Sequence, residues 1–125
     1  MTVTSSMSHH TAPADTQIRY ANALTGLAAG DAWGYQVEFT SYAHMPAYPV
    51  APPVGTWTVS DDTQMTTALH RALAEVPDFD DIEAVTDAIT RQFLLWQVDP
   101  DNTRAPGRTC MTSLRNLRAL SLIHI

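Results

Sequence analysis

Ser60, Asp61 and Asp62 stand together in WTVSDDTQMTTALHRAL, residues 57–73. Two adjacent carboxylates flanked by hydroxyls open a stretch whose apolar positions are Met65, Ala68, Leu69, Ala72, Leu73 and Val76. These recur at steps of three and four, which predicts a helix with one buried face. Free backbone N–H groups and the helix dipole favour an anion at such a start. One acid is enough for that, so the second asks for another reason. A further carboxylate, Glu38, closes GDAWGYQVEF, where an ordinary helix-end acid is an equal reading. Gly107, Arg108 and Thr109 precede another helical stretch, and a simple loop and N-cap explain them almost as well as a ligand does.

These groups need helices to position them. QIRYANALTGLAAGDAWGYQVEF, residues 17–39, is rich in Ala and Gly and predicts a helix packed closely against others. Its glycines weaken it, so tertiary packing must hold it. Pro46, Pro49, Pro52 and Pro53 forbid regular structure over residues 40–55 and give a long loop. A polyproline ligand there would lack a supporting basic residue. The helix after Asp61 should stop at Pro77. Asp78, Asp80 and Asp81 lead into a second one, with Ile82, Val85, Ile89, Phe93 and Trp96 on its face, ending at Pro100. A last helix begins near Thr109, with Met111, Leu114 and Leu117 on one side. No strand alternation and no repeat appears, so the fold class is all-α. Trp33 and Cys110 are expected in the core, and His70 on the surface.

The chain has 125 residues, 45% of them hydrophobic, which allows one small globular domain. A net charge of −6 argues against a general nucleic-acid surface. It does not exclude an anionic ligand, because a few local donors can hold a phosphate. The single cysteine excludes an internal disulfide and a Cys-rich zinc site. Neither a signal peptide nor a membrane span is evident, so a cytoplasmic location is expected. Residues 1–16 read as a disordered polar lead, in which His9 and His10 are solvated.

Together, GLAAGDAWGYQVEF, WTVSDDTQMTTAL and APGRTCMTSL resemble the ADP-ribosylglycohydrolase family, which includes the dinitrogenase reductase-activating glycohydrolases. The resemblance covers roughly residues 18–120 and implies an all-α bundle around a cleft holding two Mg²⁺ or Mn²⁺ ions. It implies Ser60, Asp61 and Asp62 as metal ligands, with Ser60 where many members have threonine. The chemistry suits them, since these ions prefer hard oxygen donors and adjacent acids can serve neighbouring ions. It implies Glu38 beside the metals, orienting water, protonating a leaving group or gating the cleft. Glu38 and Asp62 are thus the expected catalytic residues. Gly107, Arg108 and Thr109 are expected to hold the diphosphate. Asp31 is expected to make structural hydrogen bonds rather than bind metal. The implied reaction hydrolyses the bond between ribose C1″ and an ADP-ribosylated protein side chain or small molecule.

A second metal motif of the family, Asp-x-Asp-Ser/Thr, is missing. DFDD at Asp78–Asp81 and DPDN at Asp99–Asn102 have the spacing without the hydroxyl. Residues 17–120 are therefore expected to form the N-terminal part of a longer enzyme, inactive on its own. The closing LSLIHI has two readings, read-through that would make residues 121–125 a non-native tail, and a genuine apolar helix end. A crystallin-like scaffold and an ADP-ribose-binding module without turnover are the alternatives.

Overall fold

The computed structural model describes residues 14–123, as four α-helices and one short 3₁₀ turn. The helices are α1 (Ala14–Tyr35), α2 (Asp61–Glu75), α3 (Ile82–Gln97) and α4 (Arg108–Ile123). The class is all-α, as expected. Helix α1 takes in residues 14–16, so the polar lead is shorter than the sequence suggests. His9 and His10 lie outside the described residues. Helix α4 continues through residues 121–123. No helix among the described residues is long and apolar enough to cross a membrane.

Helices α2 and α3 form the centre. Ala72, Val76 and Ala88 are buried between them, with Ala84, Val85 and Ile89 packed alongside. Small residues at 72 and 88 let the two backbones approach closely. Nearer the start of α2, Ala68, Trp96 and Leu114 join α2, α3 and α4, and Met65, Phe93, Cys110, Met111 and Leu117 pack around them. Trp96 also donates its indole N–H to Gln64 Oε1 at 3.2 Å, which satisfies its one polar atom. At the outer end Arg91 and Gln92 of α3 bond to Glu75 of α2. The helix stops behave as proline chemistry requires. Helix α2 ends at Glu75, two residues before Pro77, and α3 at Gln97, before Pro100.

Other expectations fail. Ile82 opens α3 but is 69% exposed, because it lies in the first turn, beyond the edge of α2. Helix α1 is not closely packed. Only Ala32 of its 22 residues is buried. A methyl placed on Gly26, Gly30 or Gly34 would meet nothing within 4 Å. These glycines do not serve helix contact among the described residues. Instead α1 runs antiparallel to α2 along a shallow seam, touching it through Tyr20 and His70 at one end and Asp31 and Thr63 at the other.

The loop over residues 40–60 contains a 3₁₀ turn at Tyr42–His44, a small departure from the expected irregular chain. It is strapped to the end of α1. Trp33 Nε1 donates to Val50 O at 3.0 Å, and Gln36 Nε2 to Ala51 O at 3.3 Å. Trp33 meets Trp57 edge-on and stays 41% exposed, so it is a strap anchor rather than a core aromatic.

Trp96 is the largest side chain in this small core. Replacing it with alanine is expected to cost about 3–5 kcal/mol, a large share of a small domain's stability. Urea unfolding followed by circular dichroism checks this; a midpoint within error of wild type would contradict the packing described.

Candidate functional site

The first turn of α2 leaves several backbone N–H groups without helical partners. Each one finds an acceptor. Ser60 N–H donates to Asp31 Oδ2 at 2.9 Å, and Asp61 N–H to Arg104 O at 3.0 Å. Asp62 N–H donates to Ser60 Oγ at 3.2 Å, and Thr63 N–H to Asp31 Oδ2 at 3.1 Å. Gln64 N–H reaches Ser60 O at 3.4 Å. The cap is therefore supplied by Ser60, Asp31 and the Arg104 carbonyl. The carboxylates of Asp61 and Asp62 take no part in it, which leaves the adjacent acids free for other work.

They point different ways. Asp62 is exposed and lines an open cavity of about 830 Å³ with Ser60, Asp31, Gly30, Gly34 and Glu38. Glu38 is exposed on the turn that follows α1, held by the Val37 N–H to Gly34 O and Thr40 N–H to Val37 O bonds. The fold thus brings Glu38, Ser60 and Asp62 to one cavity. Asp61 does not line it. Its carboxylate faces the loop before α4, where Gly107 N–H lies 3.4 Å from Oδ2.

Gly107, Arg108 and Thr109 are also not at this cavity. Gly107 is bonded to Asp61, while Arg108 and Thr109 line a separate depression with Thr112 and Ser113 at the start of α4. The other acidic runs are structural. Asp81 caps α3 by accepting from Ala84 N–H, and Asp78 and Asp99 accept from Asp80 and Asp101 within their own turns. His70 is half-buried rather than a free surface residue, its Nδ1 2.7 Å from Tyr20 Oη.

Asp31 makes structural hydrogen bonds, as expected. Burial pushes its carboxyl up, but bonds from Ser60 and Thr63 outweigh that and hold it below the usual value. A folded value below the unfolded one gives stability that is present above the unfolded carboxylate range. That stability is lost as pH falls through the folded value. The role of Thr63 was missed in the sequence; a hydroxyl at the third helical position, beside SDD, was the available sign.

Mg²⁺ or Mn²⁺ would suit the donors here, because Ser60, Asp61 and Asp62 offer only hard oxygens. Ser60 is 3% exposed, and its Oγ keeps a second lone pair beyond the one given to Asp62 N–H. Among the described residues no three His, Cys, Asp or Glu side chains converge on one point.

A family model described as ADP-ribosylglycohydrolase matches residues 12–122. No curated protein matches the chain, and no solved structure does.

The outward turn of Asp61 has a consequence at Cys110. Burial pushes the Cys110 thiol above its usual value, and the Asp61 carboxylate pushes it further. Little thiolate is then present near neutral pH. Iodoacetamide should label Cys110 slowly at pH 8 and faster in Asp61→Asn, with both proteins folded. Equal rates would remove the Asp61 carboxylate as a cause of the raised Cys110 thiol.

Proposed function

From the premise that the chain belongs to the ADP-ribosylglycohydrolase family, we propose that its Glu38 cavity is the metal-bearing half of a glycohydrolase site. The substrate class is an ADP-ribose unit joined through ribose C1″ to a protein side chain or a small molecule. One observation carries the reading. Glu38, from the end of α1, and Ser60 and Asp62, from the start of α2, line one cavity although 22 residues or more separate them in the chain.

Asp62 and Ser60 would hold a divalent cation on the cavity side, and Asp61 would offer its oxygens from the α4 side. Mg²⁺ or Mn²⁺ held there would supply positive charge beside the ribose hydroxyls and water. The rest falls to the chain. Glu38 is the residue placed to hold or move a proton, between its carboxylate and either the attacking water or the leaving atom. Hydrolysis then breaks the bond from C1″ to the leaving atom, joins water oxygen to C1″ and returns a proton to the leaving group. Open space above Gly30 and Gly34 leaves room for the sugar against the α1 backbone. Arg108 and Thr109, with their own depression, would serve the diphosphate only if the ligand extends past Asp61 to α4.

Metal binding is tested first. Calorimetry with Mn²⁺ on the 125-residue chain is expected to show binding that Asp62→Ala weakens at least about tenfold, the usual scale for a lost ligand or its support. Unchanged affinity in both Asp61→Ala and Asp62→Ala would remove the assignment. A capping role alone predicts neither loss, since the cap does not use these carboxylates.

Turnover is tested by ADP-ribose release from ADP-ribosylated peptides, by the 125-residue chain and by any longer form of the protein. Because the three oxygen donors supply only part of a two-ion shell, release by the 125-residue chain should be weak. In the more active protein, Glu38→Gln should slow release by about 10²-fold or more, the general acid–base scale, while folding and Mn²⁺ affinity persist. Binding of ADP-ribose without release by either protein would make this a binding module instead.

A further inference from the structure

Resting on the reading of Ser60, Asp62 and Glu38 as one site, we infer that Asp31 is a positioning residue whose single oxygen, Oδ2, sets the Glu38-bearing end of α1 against the Ser60–Asp62 turn. Three donors meet on that oxygen: Ser60 N–H at 2.9 Å, Thr63 N–H at 3.1 Å and the Thr63 hydroxyl. They flank Asp61 and Asp62 in the chain, so the backbone carrying both acids is pinned at its two ends by one atom of α1. A carboxylate oxygen accepting from backbone N–H groups makes charge-assisted bonds, stronger than neutral ones. The other polar link between α1 and α2, Tyr20 to His70, lies at the far end of the seam and cannot hold this end in register. Apolar packing does not do it either. Only Ala32 of α1 is buried, and the glycines facing the cavity touch nothing.

All three bonds fall on Oδ2, so a metal or a sugar would have to be held through Oδ1, and the positioning role is separable from a ligand role. Asparagine distinguishes the two roles. Its carbonyl oxygen can accept from the same backbone donors through two lone pairs, while it lacks the charge a metal ligand or a proton carrier needs.

The test uses the 125-residue chain and nuclear magnetic resonance. In Asp31→Ala the Ser60 and Thr63 amides should exchange at least about tenfold faster, while later turns of α2 keep their protection. Mn²⁺ bound at Asp62 should broaden the Glu38 amide in wild type, do so much less in Asp31→Ala, and do so again in Asp31→Asn. If Asp31→Ala does not fold, Thr63→Val removes one donor and Thr63→Ser restores it, and the same comparison applies. Unchanged exchange in the deletion variants overturns the inference. So does faster exchange with undiminished broadening at Glu38. Loss of Mn²⁺ affinity in Asp31→Asn with exchange protection intact would make Asp31 a ligand and also overturn it. If wild type itself shows no Mn²⁺ broadening, the metal reading under the proposed function fails. Nuclear Overhauser contacts between α1 and α2 then decide the inference. Their loss in Asp31→Ala and return in Asp31→Asn would support it, and their persistence in Asp31→Ala would overturn it.

Discussion

The supply of acceptors to the first turn of α2 is the constraint on which the rest depends. A helix start presents N–H groups that must be satisfied, and a motif's own acids are the nearest acceptors. Here the demand is met from three places: the Ser60 hydroxyl, the Asp31 carboxylate on α1 and the Arg104 carbonyl before α4. Two of these come from distant segments, so the same bonds that cap α2 also dock α1 on one side and the loop before α4 on the other. Capping and assembly are one set of interactions. The result is a pair of acids at a helix N-terminus with neither consumed by the helix.

The weakness of the α1 seam gives this set its weight. Between α2 and α3 the interface is apolar and close, with Ala72 fully buried. Such packing fixes two helices without help from hydrogen bonds. Helix α1 lacks that, and Ile18, Tyr20, Leu27 and Trp33 along it remain exposed. A helix held by a few polar contacts has a lower local stability than one held by a core. The cavity between α1 and α2 therefore joins a firm wall, carrying Ser60 and Asp62, to a wall held mainly at Asp31 and Tyr20.

Much of the helical framework was legible. The three- and four-residue steps of Met65, Ala68 and Ala72, and the stops at Pro77 and Pro100, are local signals that packing did not override. Helix α1 was legible as a helix but not in its packing. Small residues permit close approach; they do not state that a neighbour is present. Of the candidate site, the SDD turn and Glu38 were legible as motifs. Their neighbours were not. Asp31 with Thr63, Asp61 with Gly107, and Tyr20 with His70 are separated by 32, 46 and 50 residues. No local spacing rule reaches that far, and only the crossing of the helices pairs them. Grouping Gly107, Arg108 and Thr109 with the site also rested on sequence alone; the fold gives Arg108 and Thr109 a depression of their own and leaves Gly107 to Asp61.

The divergence of the two acids follows from helix geometry. Successive residues of an α-helix are turned by roughly 100° about its axis, so adjacent side chains cannot share one direction. Asp62 falls on the α1 side, where the cavity is, and Asp61 on the α4 side, where Cys110 and Gly107 are. A motif of two consecutive acids is thus poorly suited to hold one ion from one side. It is well suited to face two regions at once, with Ser60 buried between them. This is the physical sense of the doubled carboxylate. One acid would serve one wall of a cleft, whereas two, on a helix capped by other groups, let a single turn present charge to both neighbours. The demand then passes to the cap, because any rotation of the first turn that improves one acid's aim spoils the other's.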